Sequence, residues 1–184
     1  MEKIPIAHMI DGVGFADPAS GRVTRANCRS AIVVVMQSEQ GTAFVVDSWA
    51  ERCHTTTLTE KIFALNRKWQ PYLKRFGIEA SAQQGLYVDQ VIREANLLRE
   101  PISIVPVMQP TNQTKEFRVT VTIQRWLHND LLYIPAAHTD LRRELEAYPL
   151  GATCDLVDAL ASALNMLRDP LATRQKLSYN SAWR

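Results

Sequence analysis

The strongest constraint in this sequence is an apolar segment near its C-terminal end that also carries acidic residues. Residues 156–167 are apolar at almost every position and follow a short stretch after Gly151, which predicts a loop leading into a buried helix. Asp155 and Asp158 are three residues apart. They therefore project from one face of the first helical turn, where the helix dipole favours negative charge.

The second of these acids needs a partner from outside the helix. Helix capping explains Asp155, but it does not explain Asp158, which lies inside the apolar surface. An ionised carboxylate in such surroundings is unfavourable unless it is paired, hydrogen-bonded or bound to a metal ion. The sequence therefore predicts that residues from earlier in the chain meet this helix.

The size of the chain limits it to one folded unit. With 184 residues, 46% of them hydrophobic, it has enough apolar material for one globular domain and is short for two. We assign residues 1–168 to this domain and expect residues 169–184, which show no periodic pattern, to form a mobile tail. The formal net charge of +2 allows nucleic-acid binding without requiring it.

Cysteine spacing and hydropathy indicate the cellular compartment in which the protein is expected. Cys28, Cys53 and Cys154 form no C-x-x-C pair, so the sequence indicates neither a disulfide framework nor a four-ligand zinc site. No apolar run is long enough to span a membrane, and the N-terminus lacks a signal-peptide pattern. We expect a protein of a reducing cytosol with no membrane partner.

The first part of the chain predicts three strands. Residues 4–15 read as a strand that ends in a loop, and Pro18 disfavours helix at Asp17, so this carboxylate is expected at the strand end. Residues 30–36 and 41–47 are β-branched runs separated by a polar turn, which predicts a hairpin. Because both runs are almost continuously apolar, helices should cover both faces of the sheet.

The middle of the chain alternates helices with strands. Residues 57–60, Thr-Leu-Thr-Glu, resemble a capping box that opens an amphipathic helix. Its apolar spacing continues to Arg75, and Pro71 would bend or end it. A strand, a helix and a further strand follow at Phe76–Ala80, Gln84–Leu98 and Pro101–Val107. Glu79 is a lone acid at the end of the first of these strands. This order of elements predicts a mixed α/β sheet.

The last third of the chain contains one ambiguous segment. Residues 115–127 fit either a helix or a strand by periodicity alone. Residues 131–135 predict a short strand. Residues 140–148 predict a helix with Leu141 facing inward and the charged residues, including Glu144, facing outward.

The acids occur in an order that resembles an RNase H-like nuclease. Asp17 follows the first strand, and Glu79 ends the strand after the first long helix. Asp155 and Asp158 open the last helix. In such folds the first acid lies on the first strand, the second on the fourth strand and the third on a helix packed against the sheet. The resemblance implies an α/β fold, an RNase H-like mixed central sheet flanked by helices.

Several short motifs add a closer resemblance. They are Phe15-Ala-Asp17-Pro-Ala19, Ser30-Ala-Ile-Val-Val, Phe44-Val-Val-Asp47, Gly77-Ile-Glu79, Lys115-Glu-Phe-Arg118, Leu141-Arg-Arg-Glu-Leu145 with Tyr148-Pro149 and Gly151, and Asp155-Leu-Val-Asp158-Ala-Leu-Ala. Over about residues 10–166 this series is similar to the C-terminal nuclease domain of the large terminase subunit of tailed bacteriophages. Each motif is weak alone, but their order and spacing are fairly specific.

The terminase resemblance implies a catalytic site. Asp17, Glu79 and Asp155 would form the metal-binding triad, with Asp158 as a fourth acid near the same site. Two Mg²⁺ or Mn²⁺ ions held by these acids would generate a hydroxide nucleophile for in-line attack on a phosphodiester and stabilise the leaving 3′ oxygen. The chain would then be a phosphodiester hydrolase.

Basic residues are the candidates for binding DNA. By the resemblance, the segment 115–127 would be a helix, and Lys115 and Arg118 on it would lie near the cleft and contact phosphate or the acids. Arg22 and Arg25 belong to the polar stretch 20–29, which reads equally well as a solvated turn or as a loop that contacts phosphate. A steep loss of DNA binding with added salt would support such contacts.

The resemblance also implies a substrate and partners. The substrate would be double-stranded concatemeric phage DNA, cut during genome packaging in the cytoplasm of the bacterial host. The partners would be a packaging ATPase domain, the portal and the small terminase subunit. The chain contains no Gly-x-x-x-x-Gly-Lys-Ser/Thr, so we expect no ATP hydrolysis, and it is either a cut-out domain or a stand-alone gene product.

One departure from the family keeps two alternatives open. The family often has His-Asp-Asp where this chain has Thr153, Cys154 and Asp155. The missing acid could weaken one metal site, which leaves room for a non-catalytic module that docks to DNA or portal. Within the same fold, a RuvC-type resolvase or a ribonuclease H would instead prefer branched DNA or an RNA–DNA hybrid.

Overall fold

A computed structural model gives the fold of residues 8–19, 29–80 and 85–169. In these ranges the chain forms one six-stranded sheet and five helices. The strands are β1 (Met9–Asp17), β2 (Ser30–Ser38), β3 (Ala43–Glu51), β4 (Arg75–Glu79), β5 (Ile104–Val107) and β6 (Leu132–Tyr133). The helices are α1 (Thr55–Trp69), α2 (Gly85–Leu98), α3 (Lys115–Leu127), α4 (Thr139–Ala147) and α5 (Asp155–Met166).

The sheet is mixed and has β1 near its centre. Its strand order is β5-β4-β1-β2-β3-β6. Strands β1, β2 and β3 form an antiparallel meander, whereas β4 runs parallel to β1 and β5 runs parallel to β4. This arrangement confirms the expected α/β fold with a mixed central sheet flanked by helices.

Helices cover both faces of the sheet because alternate residues of the central strands enter different cores. Val33 and Val35 of β2 pack with apolar residues of α3, α4 and α5. Ile32 and Val34 pack on the other face with residues of α1 and α2. All nine residues of β2 are buried, as expected for a strand covered on both sides.

The structure corrects or settles the limits of several predicted elements. The capping box predicted at residues 57–60 is wrong, because α1 already begins at Thr55, with His54 at the N-cap and no side-chain cap bond. The helix ends at Trp69, close to Pro71, and Arg75 already belongs to β4. The ambiguous segment 115–127 is a helix, and its N-cap Thr114 accepts the backbone N–H of Phe117. Strands β5 and β6 are both shorter than their patterns predicted.

Some predictions fall outside the described residues. Arg22 and Arg25 lie in the undescribed range 20–28, and only Asp169 of the tail assigned to residues 169–184 is described. Within the three described ranges, no helix combines the length and the apolar character needed to cross a membrane.

Gly12 of β1 lies against the backbone of the segment that leads into β4. A β-carbon at this position would lie 2.5 Å from the carbonyl oxygen of Tyr72, so Gly12→Ala must push two backbone segments apart. We expect the variant to lower the free energy of unfolding by about 1–3 kcal/mol, measured by urea denaturation. Gly85→Ala is the matched control, because nothing lies within 4 Å of its β-carbon position. Equal stability of the two variants would contradict the prediction.

Candidate metal centre

Three acidic side chains meet at one edge of the sheet. Asp17 ends β1 and Glu79 ends β4. These strands are parallel neighbours with Ala16 opposite Ile78, so their carboxyl ends lie side by side. Asp158 comes from the first turn of α5, which packs against β1 and β2. The ligand oxygens of the three acids all lie within 4.8 Å of one another.

Asp155 lines the same cleft but faces a different partner. It is the first residue of α5, and its Oδ2 lies 3.5 Å from Nε of Arg29. Among the described residues, the cluster that could hold a metal ion consists of Asp17, Glu79 and Asp158. The structure thus places Asp158, rather than Asp155, beside the other two acids. A ligand role for Asp155 stays a prediction.

The clustered acids repel one another. Burial raises the pKa of Asp17 well above its ordinary value, and the negative charges of Glu79 and Asp158 raise it further. Burial and the charge of Asp158 also raise the pKa of Glu79, against the opposing effect of a hydrogen bond that Gln109 donates to it. At a separation of about 4 Å, two such charges repel by roughly 4 kcal/mol at an effective dielectric of 20. A bound cation would remove much of this repulsion.

Two basic residues of α3 partly neutralise Asp158. Nζ of Lys115 lies 2.9 Å from Oδ2 of Asp158, and Nη2 of Arg118 lies 2.7 Å from Oδ1. Nη1 of Arg118 also donates a hydrogen bond to Oγ of Ser162 at 3.2 Å. Burial alone would lower the pKa of Lys115, but attraction to Asp158 outweighs this effect and raises it above its ordinary value. The structure thus places both basic residues at the cleft, in contact with an acid.

Glu144 is a site residue that the sequence pattern placed on the wrong face of α4. It is buried, not outward, with only 5% of its surface exposed. Its Oε2 accepts the backbone N–H groups of Leu156 at 2.8 Å and Val157 at 3.4 Å, at the start of α5. Its Oε1 pairs with Arg29. Glu144 comes three residues after the buried Leu141, and this spacing puts both residues on the same face of the helix. The sequence therefore contained a signal for the burial of Glu144.

The acids line an open cleft of about 370 Å³. Polar and basic side chains complete its walls: Arg29, Gln109, Gln113, Lys115 and Arg118. All candidate ligand atoms are carboxylate oxygens, a set that suits Mg²⁺ or Mn²⁺ better than softer metals. Cys154, where the resemblance expects an acid, is the half-buried N-cap residue of α5, and burial raises the pKa of its thiol.

Comparisons with known proteins give two structural similarities at low sequence identity. No protein-family model and no curated protein matches the sequence. Among solved structures, RuvC of Thermus thermophilus in complex with a Holliday junction substrate is 11% identical, with a TM-score of 0.48 over 90% of this chain and 96% of that chain. A second RuvC structure from Thermus thermophilus is 12% identical, with a TM-score of 0.44 and the same coverage. Neither of these two structures is a terminase.

Removal of Glu144 tests how the start of α5 is held. Glu144→Ala should lower the free energy of unfolding by about 1–3 kcal/mol, because two buried N–H groups lose their acceptor and Arg29 loses a buried partner. Urea denaturation measures this loss. Glu146→Ala, on the exposed side of the same helix, should stay within about 0.5 kcal/mol of the wild type. If the two variants are equally stable, Glu144 does not hold α5.

Proposed function

We propose that this chain is a metal-dependent endonuclease that hydrolyses phosphodiester bonds of double-stranded DNA. The observation that carries this proposal is the cluster of Asp17, Glu79 and Asp158, whose ligand oxygens lie within 4.8 Å of one another at an open cleft. Such a cluster is electrostatically unfavourable alone and becomes favourable around a divalent cation. The ends of parallel strands are also where open α/β sheets commonly carry their sites.

The donor set fits a hard divalent cation because it consists of carboxylate oxygens alone. Asp17, Glu79 and Asp158 would hold the ion, and the terminase resemblance adds Asp155 and a second ion, either Mg²⁺ or Mn²⁺. Bound ions would supply Lewis-acid stabilisation of phosphoryl oxygens and lower the pKa of water in the site.

Basic residues fixed beside the acids would bind and orient the DNA backbone. Arg29 reaches the cleft while paired with the buried Glu144, so its guanidinium has a defined position. Arg118 is held in the same way by Asp158 and Ser162. Guanidinium groups form strong charge-assisted hydrogen bonds with phosphate. Positive groups already held in place would therefore keep a phosphodiester next to the acids at little entropic cost.

The sequence motifs extend the proposal to a biological role. The DNA would be concatemeric phage DNA, cut during genome packaging in the cytoplasm of a bacterial host. A packaging ATPase domain, the portal and the small terminase subunit would be the partners. This role is supported by the resemblance of the motifs Lys115-Glu-Phe-Arg118 and Asp155-Leu-Val-Asp158 to the terminase nuclease domain.

Plasmid cleavage tests the nuclease. The protein should nick and linearise supercoiled plasmid with Mn²⁺ or Mg²⁺ and not with EDTA. Asp17→Asn and Asp158→Asn should each slow cleavage roughly a hundredfold or more, since loss of a group that only hydrogen-bonds to a metal ligand already lowers activity by about 10–100-fold. Asp89→Asn, on the exposed face of α2, is the matched control and should cut like the wild type.

Asp155→Asn measures whether the fourth acid belongs to the site. A loss as large as that of Asp158→Asn would make Asp155 a ligand, and a much smaller loss would make it chiefly a partner of Arg29. Cutting that persists in EDTA, or in both Asp17→Asn and Asp158→Asn, would contradict the proposal. No cutting by folded wild-type protein in either metal would favour a non-catalytic docking module.

Competition between nucleic acids tests the substrate. We expect a linear duplex to inhibit plasmid cutting at least as strongly as a four-way junction of equal length, because fixed basic groups contact the phosphate backbone and not the bases. An RNA–DNA hybrid should compete less well, because its A-form geometry places the phosphates differently from those of a DNA duplex. Stronger competition by the junction would indicate a RuvC-type resolvase, and stronger competition by the hybrid would indicate a ribonuclease H.

A further inference from the structure

Asp158 contacts two cationic side chains although it belongs to the acid cluster. Its Oδ2 lies 2.9 Å from the Lys115 ammonium, and its Oδ1 lies 2.7 Å from the Arg118 guanidinium. Both oxygens of this carboxylate are therefore paired with positive charge from α3. Its two neighbours, Asp17 and Glu79, face the same cleft. A divalent ion held by the three acids would have to share Asp158 with these cations.

The two cations differ in how firmly they are held. The Arg118 side chain is only 10% exposed, and it also donates to Ser162 at 3.2 Å. The Lys115 side chain is 47% exposed and carries its charge on a flexible stem. An ammonium and a divalent ion on the same buried carboxylate repel each other strongly, because little water screens them. Lys115 is thus the group that can leave when a metal ion arrives.

We propose that Lys115 is a placeholder cation for the metal centre. In the metal-free protein its ammonium keeps Asp158 beside Asp17 and Glu79 by offsetting their mutual repulsion. When a divalent ion binds, the ammonium moves away from Asp158, so the ion and Lys115 compete for one carboxylate. This inference rests on the proposed metal site.

A metal ion that displaces the Lys115 ammonium from Asp158 would move it to a second position. The lysine side chain starts from the first turn of α3, at the border of the cleft, so a displaced ammonium remains within reach of any phosphate bound there. The same charge would therefore stabilise the acids before metal binding and the substrate afterwards. A purely structural ion pair would make no such exchange, and its removal would only weaken the fold.

Mn²⁺ binding in the absence of DNA distinguishes a placeholder role of Lys115 from a purely structural ion pair. Electron paramagnetic resonance of free Mn²⁺ gives the dissociation constant for the wild type, Lys115→Met and Lys115→Gln. We expect both variants to bind Mn²⁺ roughly tenfold or more tightly than the wild type, a common size for coupling between two ligands. Lys115→Arg keeps the charge and should bind like the wild type. Lys68→Met removes another carboxylate-paired lysine, 2.6 Å from Asp47 and outside the cleft, and should have no effect.

The outcomes distinguish this inference from the metal site itself. If wild-type protein binds Mn²⁺ and Lys115→Met and Lys115→Gln bind it equally or more weakly, Lys115 is not a competitor, while the metal site stands. If Asp158→Asn binds Mn²⁺ as tightly as the wild type, the proposed metal site is wrong and the placeholder role fails with it. The same conclusion follows if neither the wild type nor any Lys115 variant binds Mn²⁺. Circular dichroism confirms that each variant is folded.

Discussion

Burial of α5 against the central strands is the interaction on which the candidate site depends. Leu156, Leu160 and Leu164 are almost completely buried and recur every four residues, so they direct one face of the helix into the core. With that face fixed, Asp158 in the first turn lies at the carboxyl ends of β1 and β4 with only 3% of its surface exposed. Apolar packing therefore fixes a carboxylate beside two others that repel it, and the basic residues of α3 offset this repulsion.

The charges around α5 compensate one another across three helices and the residue that precedes β2. Lys115 and Arg118 of α3 offset Asp158, whereas Arg29, just before β2, contacts Asp155 and the buried Glu144 of α4. A buried charge without a partner is strongly unfavourable, so these pairs allow acids to lie close together in the folded chain. The same basic groups border the cleft where a phosphate would bind. On the proposed function, the stability of the fold and the binding of an anionic substrate would depend on the same residues.

The sequence identified most readily those site residues that lie at strand ends. Asp17 and Glu79 each close an apolar strand, and the topology then brings those ends together, as the RNase H-like order implies. Glu144 was placed wrongly, because a charged residue was assumed to face solvent when its spacing from Leu141 put it inside. Arg29 closes the polar stretch 20–29, which the sequence left open as a loop that contacts phosphate. Its pairing with Glu144 and Asp155 had no local signal, since these partners lie more than a hundred residues away along the chain.

By itself, the sequence determined the alternation of strands and helices, the mixed sheet and the acids that could form a site, because each depends on local hydrophobic period and strand ends. Only the tertiary structure decided which acids meet. Asp155 and Asp158 share a helix face in the sequence pattern, but the rotation of α5 in its packed position directs Asp158 to the cluster and Asp155 to Arg29. That rotation results from apolar contacts with two strands distant in sequence, which no local pattern contains.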